Sequence, residues 1–216
     1  MANRILEDKL KRIKTIIKLL KKNYPNAKCS LNYRTIHQLM VATILSAQCT
    51  DDRVNKTTPA LFKKYKSIKD FAKANLNELT KDIFATGFHN SKAKSIKSSA
   101  HKLIELYNGK IPKELDKLVK LPGVGRKTAS VILGAGYNLA EGIVVDTHVG
   151  RISRLLGLTM QKEPNKVEQD LMEIIPKKDW IVYAHLLINH GRSICKARKP
   201  DCPNCFINKL CPSATK

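Results

Sequence analysis

The sequence predicts an all-α fold, and two observations carry that prediction. Apolar residues recur at intervals of three and four along much of the chain, which is the spacing of one buried helix face. Alternation of apolar and polar residues, typical of half-buried strands, is nearly absent. The run Gly142–Val145 is the one segment expected to be extended. Without an internal repeat, low-complexity tract or long linker, the chain should form about ten short helices joined by tight turns.

The first predicted helix is amphipathic, with one apolar face and one basic face. Its apolar positions are spaced to lie on the same side: Leu6, Leu10, Ile13, Ile17 and Leu20. Further helices are predicted, in chain order, at residues 33–47, 54–65, 76–84, 93–107, 114–120, from 125 onward, 167–175 and 180–190. Turns between them are indicated by glycine and proline, at Gly109, Pro112, Gly142 and Pro164.

The charge balance is the most unusual property of the composition. The 216 residues, enough for one large or two small domains, include 40 Lys and Arg against 18 Asp and Glu, a net charge of +22. Such an excess indicates a polyanionic partner, although a general bias toward lysine is an alternative. Aromatic residues make up only 6% of the chain, which argues against a broad base-stacking surface of the kind that RNA-binding sheets present.

The cellular compartment is predicted from what the N-terminus and the apolar runs lack. No apolar run reaches the ~20 residues of a membrane span, and the opening "MANRILEDKLKRIKTIIKLLKK" is charged throughout, unlike a secretory signal. We therefore expect a cytoplasmic protein that is neither secreted nor inserted in a membrane. In that compartment cysteines serve metal binding more often than disulfides.

Four of the six cysteines lie near the C-terminus, in the pattern C-x6-C-x2-C-x5-C: Cys195, Cys202, Cys205 and Cys211. Four thiolates at this spacing can enclose an iron–sulfur centre or a zinc ion. The spacing differs from the usual pair of zinc knuckles; it favours iron–sulfur but leaves zinc open. Cys29 and Cys49 are isolated and are expected to be ordinary apolar residues. Three cations between the first two cysteines are expected either to bind phosphates or to be solvated: Lys196, Arg198 and Lys199.

The string "LPGVGRKTA" (121–129) predicts a tight hairpin between two short helices, over about residues 114–134. Pro122 fixes one φ angle, whereas Gly123 and Gly125 allow positive φ and the close approach of another molecule. A helix that begins at such a turn offers free N–H groups to an anion, here a nucleic-acid backbone. A purely structural corner is the alternative. The residues predicted to contact DNA are Leu121, Gly123, Val124, Gly125, Arg126 and Thr128.

Three strings together resemble the endonuclease III family of DNA glycosylases, in the helix–hairpin–helix superfamily. They are "LSAQCTD" (45–51), "LPGVGRKTA" followed by "VVDTHVGR" (144–151), and the four terminal cysteines, and the resemblance covers essentially the whole chain. It implies that these cysteines hold a [4Fe-4S] cluster. It also implies a six-helix barrel domain at residues 29–140 and an iron–sulfur cluster domain formed by 1–28 with 141–216.

The reactive lysine and aspartate of that family match Lys127 and Asp146. The resemblance implies a base-excision repair enzyme that acts on double-stranded DNA, as a monomer. It would remove oxidised pyrimidines through a Schiff base between a neutral lysine and the sugar, and cleave 3′ to abasic sites by β-elimination. The residues themselves leave alternatives, since Lys127 could be a solvated surface lysine and Asp146 a helix N-cap.

The family also implies residues that open the duplex. By position, Gln48 would fill the space of the extruded nucleotide, and Phe88 would enter the base stack as an apolar wedge. A buried glutamine and a core phenylalanine are the alternatives. Many relatives carry an aliphatic residue and then tyrosine where this chain has Phe88 and His89. In the "VVDTHVGR" string, Arg151 is expected to contact a phosphate, and His148 to contact DNA or simply to pack.

Two other functions compete with the bifunctional enzyme. The first is a monofunctional mismatch glycosylase of the same superfamily, in which Ser or Tyr typically occupies the lysine position. The second is a non-catalytic DNA-binding protein that uses an iron–sulfur cluster as a redox sensor. Lys127 argues against the first function, and the pair formed by Lys127 and Asp146 argues against the second, since binding alone requires neither residue.

Overall fold

The computed structural model describes residues 2–214, with side chains from residue 7 onward, and contains no β-strand in that range. The all-α prediction is confirmed. The α-helices are α1 Ala2–Asn23, α2 Ile36–Leu45, α3 Asp51–Lys64, α4 Ile68–Lys73, α5 Leu76–Asp82, α6 His89–Tyr107, α7 Leu115–Leu118, α8 Arg126–Val131, α9 Thr147–Leu155, α10 Pro164–Ile174 and α11 Trp180–Ser193. Short 3-10 helices lie at Phe84–Thr86, Lys177–Asp179 and Asn208–Leu210, and a π-helical segment extends α8 over Ile132–Gly136.

Two helices, α4 and α9, have no counterpart among the predicted segments, although the expected cap at Asp146 indicated the start of α9. The helix α4 is only six residues long, which is too short to display a periodic apolar face. It is held by a capping box, in which the Ser67 side chain accepts from the backbone of Asp70 and the Asp70 side chain accepts from the backbone of Ser67. That Ser-x-x-Asp pattern was the one signal in the sequence. Leu6, expected on the apolar face of α1, lies outside the described side chains.

The chain forms two compact units, residues 30–141 and residues 1–29 with 142–216. In the unit 30–141 the long helix α6 packs against α2, α4 and α5. The π-helical segment packs closely on α2, since a Cβ atom on Gly136 would lie 3.0 Å from the Ile36 side chain and 3.1 Å from that of Leu39. The largest buried side chains of this unit are Leu39, Met40, Leu45, Phe71, Leu79, Ile83, Ile96 and Leu103.

The other unit is built from α1, α9, α10 and α11. Its core is one apolar cluster that includes Ile13, Ile16, Leu20, Val149, Ile152, Leu171, Tyr183 and Leu186. The helix α1 contributes its apolar face, as its spacing predicts, and leaves lysines such as Lys11, Lys14 and Lys18 exposed. Cys195, Cys205 and Cys211 pack against the same cluster. Within the described residues, no helix is both long and apolar enough to cross a membrane.

Candidate active site and cysteine cluster

The hairpin, residues Leu121–Gly125, joins α7 to α8 and is anchored on α6. Leu121 and Val124 are buried, each 3% exposed, and the Val124 N–H donates to the Leu121 carbonyl at 3.0 Å to close the turn. The Ser99 hydroxyl of α6 donates to the Pro122 carbonyl at 2.6 Å. The apolar residues of the hairpin therefore face the core, and its glycines remain at the surface.

The two glycines of the hairpin lack a side chain for different physical reasons. Gly123 has a φ of +76°, and a Cβ atom on it would lie 2.7 Å from the Ser95 Cβ atom, so the fold itself excludes a side chain there. Gly125 is the N-cap of α8 with a φ of −82° and no side-chain capping bond. A Cβ atom on Gly125 would meet nothing within 4 Å. Neither conformation nor internal packing requires this second glycine, which leaves the start of α8 open to another molecule.

This difference gives a paired prediction. Gly123→Ala should lower the free energy of unfolding by about 2–4 kcal/mol. The alanine would be held in the left-handed backbone conformation, and its Cβ atom would clash with Ser95. Gly125→Ala should leave the fold unchanged or slightly more stable, by up to about 1 kcal/mol, and should weaken DNA binding. Urea denaturation and a duplex-binding titration on both variants test this. Full DNA affinity in Gly125→Ala would contradict the view that this glycine admits a phosphate.

Lys127 lies in the first turn of α8 and its side chain is exposed. Arg126 beside it is exposed as well, and Thr128 is half-buried. Lysine at the start of a helix is not stabilised by the helix dipole, whose positive end lies there. Its amine is thus held on a short rigid helix at the surface of the unit 30–141, where a substrate can reach it.

Asp146 is the N-cap of α9, where its carboxylate accepts from the Val149 N–H at 2.8 Å. The prediction that it caps a helix is confirmed. The side chain is half-buried, and the half-buried imidazole of His185 on α11 lies within its electrostatic reach. Burial lowers the pKa of His185, and the Asp146 carboxylate opposes that shift. No local pattern in the sequence indicates His185, because its electrostatic interaction with Asp146 joins two helices far apart in the chain.

Two further polar residues of the "VVDTHVGR" string, His148 and Arg151, contact their own unit. His148 packs over Gly191 of α11, where a Cβ atom would lie 2.4 Å from the His148 ring nitrogen Nδ1. The Arg151 guanidinium donates to the Cys195 carbonyl at 2.5 Å and lies 3.5 Å from the Cys195 sulfur. These contacts give both side chains an internal role, and their contacts with DNA stay a prediction.

Gln48 and Phe88 both lie on exposed turns of the unit 30–141. Phe88 is 64% exposed, so the alternative that it belongs to the core is wrong. Gln48 is also exposed, which excludes the buried glutamine. Sequence reasoning missed Phe84, which is 66% exposed and packs on His89 with ring centroids 4.6 Å apart. The two phenylalanines give this turn an exposed apolar surface.

The four C-terminal cysteines line one cavity, with a volume of about 30 Å3. Apolar side chains form much of the remaining wall: Ile152, Leu155, Leu156, Ile194 and Ile207. Among the described residues, no three His, Cys, Asp or Glu side chains are grouped so that they could hold one metal ion. One zinc ion would need each sulfur at ~2.3 Å from a common point. Four thiols that line one cavity but do not converge on a single ion position suit a group of several atoms.

A buried histidine supports this cavity. His190 of α11 is 1% exposed; its Nε2 atom lies 3.6 Å from the Cys205 sulfur, and its Nδ1 atom 3.1 Å from the Tyr24 hydroxyl. Burial, together with the Arg151 charge, lowers the pKa of His190 to about 4, so its ring is neutral near pH 7. Burial also raises the pKa of the Cys205 and Cys211 thiols. The sequence pattern predicted the cysteines and missed His190.

The C-terminal segment is tied to the rest of its unit by an arginine of α1. The Arg12 guanidinium donates to the Leu156 carbonyl at 2.6 Å and to the Leu210 carbonyl at 3.0 Å. The loop after Cys195 is closed at its base, where the Ile194 carbonyl accepts from the N–H groups of residues 196 and 201. All three cations on this loop are exposed: Lys196, Arg198 and Lys199. A compact loop therefore presents three positive charges to solvent.

The fold and the hairpin define the class of protein. The family model of the HhH-GPD superfamily base excision DNA repair proteins matches residues 41–177, a range that contains both the hairpin and Asp146. Endonuclease III of Synechocystis sp. is 47% identical over 211 residues, covering 98% of this chain and 96% of that protein. Endonuclease III of Bacillus subtilis is 43% identical over 208 residues, covering 96% of this chain and 94% of that protein. The chain belongs to the endonuclease III family.

Solved structures agree with this assignment. A non-covalent endonuclease III–DNA complex superposes with a TM-score of 0.90 at 41% identity, covering 95% of this chain and 96% of that chain. A trapped endonuclease III–DNA covalent intermediate gives the same TM-score, identity and coverage. The predicted family and helix–hairpin–helix glycosylase fold are confirmed.

Proposed function

We propose that this chain is a bifunctional DNA glycosylase and AP lyase that removes oxidised pyrimidines from double-stranded DNA and cleaves 3′ to abasic sites. The observation that carries the proposal is the exposed Lys127 at the start of α8, in a chain 41% identical to a protein solved as a covalent DNA intermediate. A mismatch glycosylase without a lyase step would not need an amine at this position. A DNA-binding redox sensor would need neither Lys127 nor Asp146.

The proposed reaction uses the Lys127 amine as nucleophile. The uncharged amine attacks the sugar C1′, and the bond from C1′ to the damaged base breaks, so that the base leaves with the electron pair and takes up a proton. The C1′–O4′ bond of this adduct then breaks and O4′ takes up a proton, which opens the sugar ring and leaves a Schiff base between C1′ and the Lys127 nitrogen. Loss of a proton from C2′ and departure of the 3′ phosphate complete the β-elimination. Hydrolysis of the Schiff base returns the amine.

We assign Asp146 two tasks in this reaction. Its carboxylate can accept a proton as the amine is activated, and it can stabilise positive charge that develops on the sugar when the base leaves. The hydrogen bond from the Val149 N–H occupies one carboxylate oxygen, Oδ1. That bond holds the side chain at the N-terminus of α9 in one orientation and leaves the other oxygen for the substrate. The helix-capping role and the chemical role are therefore compatible.

The DNA contacts are proposed from exposure and charge. The open N-terminus of α8 would receive a phosphate, supported by Arg126 and Thr128. Gln48 and Phe88 would occupy the space left by the extruded nucleotide, which costs a few kcal/mol to remove from the stack. The three cations of the loop after Cys195 would contact the backbone without reading sequence. With a net charge of +22, binding to undamaged duplex should also be strong and salt-dependent.

We further propose that the four C-terminal cysteines hold a [4Fe-4S] cluster, a cofactor for which the family is known. Thiolates are the usual ligands of such clusters, and apolar walls limit access of solvent. The bound cluster would serve structurally, because it would fix the short loops that carry the cations. The two compact units are proposed to be the six-helix barrel and the cluster domain. We also propose that the protein acts as a monomer on DNA in the cytoplasm.

The proposed function is tested by reductive trapping. The protein is mixed with duplexes that carry one abasic site, one thymine glycol or no lesion, and borohydride is added. We expect a covalent adduct with both damaged duplexes, a strand break 3′ to the lesion when borohydride is omitted, and no adduct with undamaged DNA. Base release without an adduct would favour the monofunctional alternative. Binding without base release or cleavage would favour the non-catalytic one.

A further inference from the structure

The two residues proposed to open the duplex share an uncommon backbone conformation. Among the described residues, four non-glycine residues have a positive φ, and two of them are asparagines, which tolerate it well. The other two are Gln48, with a φ of 50°, and Phe88, with a φ of 48°. Such a conformation costs about 1–3 kcal/mol and persists only where neighbouring contacts hold it. Some part of the unit 30–141 must therefore hold both turns.

The side chain that joins these turns is Lys92, in the first turns of α6. Lys92 is 5% exposed, and its ammonium donates to the Leu45 carbonyl and to the Thr86 carbonyl, each at 2.7 Å. Leu45 immediately precedes the Gln48 turn, residues 46–50, and Thr86 lies within the Phe88 turn, residues 84–88. One buried cation is thus bonded to the backbone at both turns.

The carbonyls of Leu45 and Thr86 both need a hydrogen-bond donor from outside their helices. Leu45 ends α2, and Thr86 ends the short 3-10 helix. Carbonyls at a helix C-terminus have no partner within the helix and carry partial negative charge. The Lys92 ammonium satisfies both helix ends at once, and its backbone N–H donates to the Phe88 carbonyl at 3.0 Å. Lys92 therefore contacts the Phe88 turn twice and the Gln48 turn once.

Burial of this lysine has a cost that packing alone does not explain. Burial disfavours the charged form and lowers the pKa of Lys92, which nearby Cys49 only partly opposes. A methionine of similar length would fill the same space without that cost. An apolar side chain would not bond two carbonyls, so it could not fix the distance between the two helix ends.

We propose that Lys92 is a positioning residue for opening the duplex, whose ammonium holds the Gln48 and Phe88 turns so that both side chains are presented to DNA together. This inference rests on the proposed function, since it assumes that both residues enter the DNA. The turns and α6 belong to one compact unit. Turns held in advance avoid the entropic cost of being ordered as the nucleotide leaves the stack.

The chain offers a matched control on the same helix. The Lys97 ammonium donates to the Ala74 carbonyl at 2.7 Å, but Ala74 follows α4 and carries no residue proposed to contact DNA. Lys92→Met and Lys97→Met each remove one lysine charge and the hydrogen bonds of one ammonium to backbone carbonyls. A loss of positive charge by itself would affect both variants in the same way.

The measurement is the ratio of affinities for a duplex with a stable abasic-site analogue and for undamaged duplex. Lys92→Met should reduce this ratio by about tenfold or more, equivalent to ~1.4 kcal/mol, with affinity for undamaged duplex unchanged. Lys97→Met should retain the ratio within about twofold. In hydrogen exchange, residues 45–50 and 84–88 should exchange faster in Lys92→Met alone. If Lys92→Met does not fold, Lys92→Gln replaces it, since a shorter neutral amide cannot reach both carbonyls and should lower the ratio likewise.

Three results would overturn this inference: an unchanged affinity ratio in the Lys92 variant, an equal loss in Lys97→Met, or unchanged exchange at both turns. Failure of the proposed function would be distinct. In that case the wild-type protein itself would not prefer the abasic-site analogue and would give no trapped adduct. If the wild-type protein prefers the abasic-site analogue and forms the adduct, and the Lys92 variant behaves identically, only the role of Lys92 is rejected.

Discussion

Lys127→Ala is expected to abolish the lyase reaction and the borohydride-trapped adduct. Without the amine no Schiff base can form, so strand cleavage at an abasic site should fall by about 10⁴-fold or more. The fold should be unaffected, within about 0.5 kcal/mol of unfolding free energy, because the Lys127 side chain is exposed. Single-turnover cleavage of abasic-site duplex, measured with enzyme in excess, separates loss of chemistry from weaker binding.

The control for this variant is Lys120→Ala. Lys120 is also exposed and lies just before the hairpin, so its removal deletes the same charge close to the same structure. It should lower DNA affinity modestly, by less than about 1 kcal/mol, and keep full trapping. An adduct that persists undiminished in Lys127→Ala would show that another amine is the nucleophile.

Replacement of a cysteine proposed to ligate the cluster, as in Cys202→Ser, is expected to prevent iron binding and to disrupt the C-terminal segment. After α11 that segment has only one short 3-10 helix, and Ile207 is its one fully buried side chain among the described residues. So little apolar burial cannot order twenty residues by itself. Wild-type protein should contain about four iron atoms per chain and absorb near ~400 nm. The variant should lose both signals.

The matched control is Cys49→Ser, since Cys49 is half-buried, lies in the unit 30–141 and does not line the cavity. It should retain the iron and the absorbance. Proteolysis should cleave the Cys202→Ser variant within residues 195–214 and leave Cys49→Ser intact. Wild-type protein that is colourless and holds a single zinc ion would reject the proposed cluster, as would iron that survives in Cys202→Ser.

The sequence predicted most of the helices because their signals are local. The apolar spacing of α1, α6 and α11 follows from 3.6 residues per turn, which needs no knowledge of the partner surface. The helix α4 was missed because six residues cannot show a period. The hairpin was found because Pro122, Gly123 and Gly125 lie within four residues, which is a local signal for a tight turn. The sequence could not distinguish the roles of the two glycines. A side chain at Gly123 would clash with Ser95, and only the folded structure brings these two residues together.

The polar contacts also divide into local ones, which the sequence predicted, and long-range ones, which it did not. Helix capping by Asp146 was predicted, because an N-cap depends on residues that follow it directly. The partners of Arg151, His190 and Arg12 were not, because each bond joins parts of the chain far apart in sequence. Periodicity assigned Lys92 no role, since a lysine on a basic helix looks solvated until the two turns it bonds are placed around it.

The sequence by itself determined the all-α class, the family, the hairpin and the four cysteines, because these depend on residue types at short, fixed spacing. The tertiary structure alone decided which lysine is exposed at a helix start and which is buried between two helix ends. It also decided that the four thiols surround one cavity. Burial and hydrogen bonding are properties of assembled surfaces, and whether a charge is solvated or enclosed depends on segments that meet only when the chain folds.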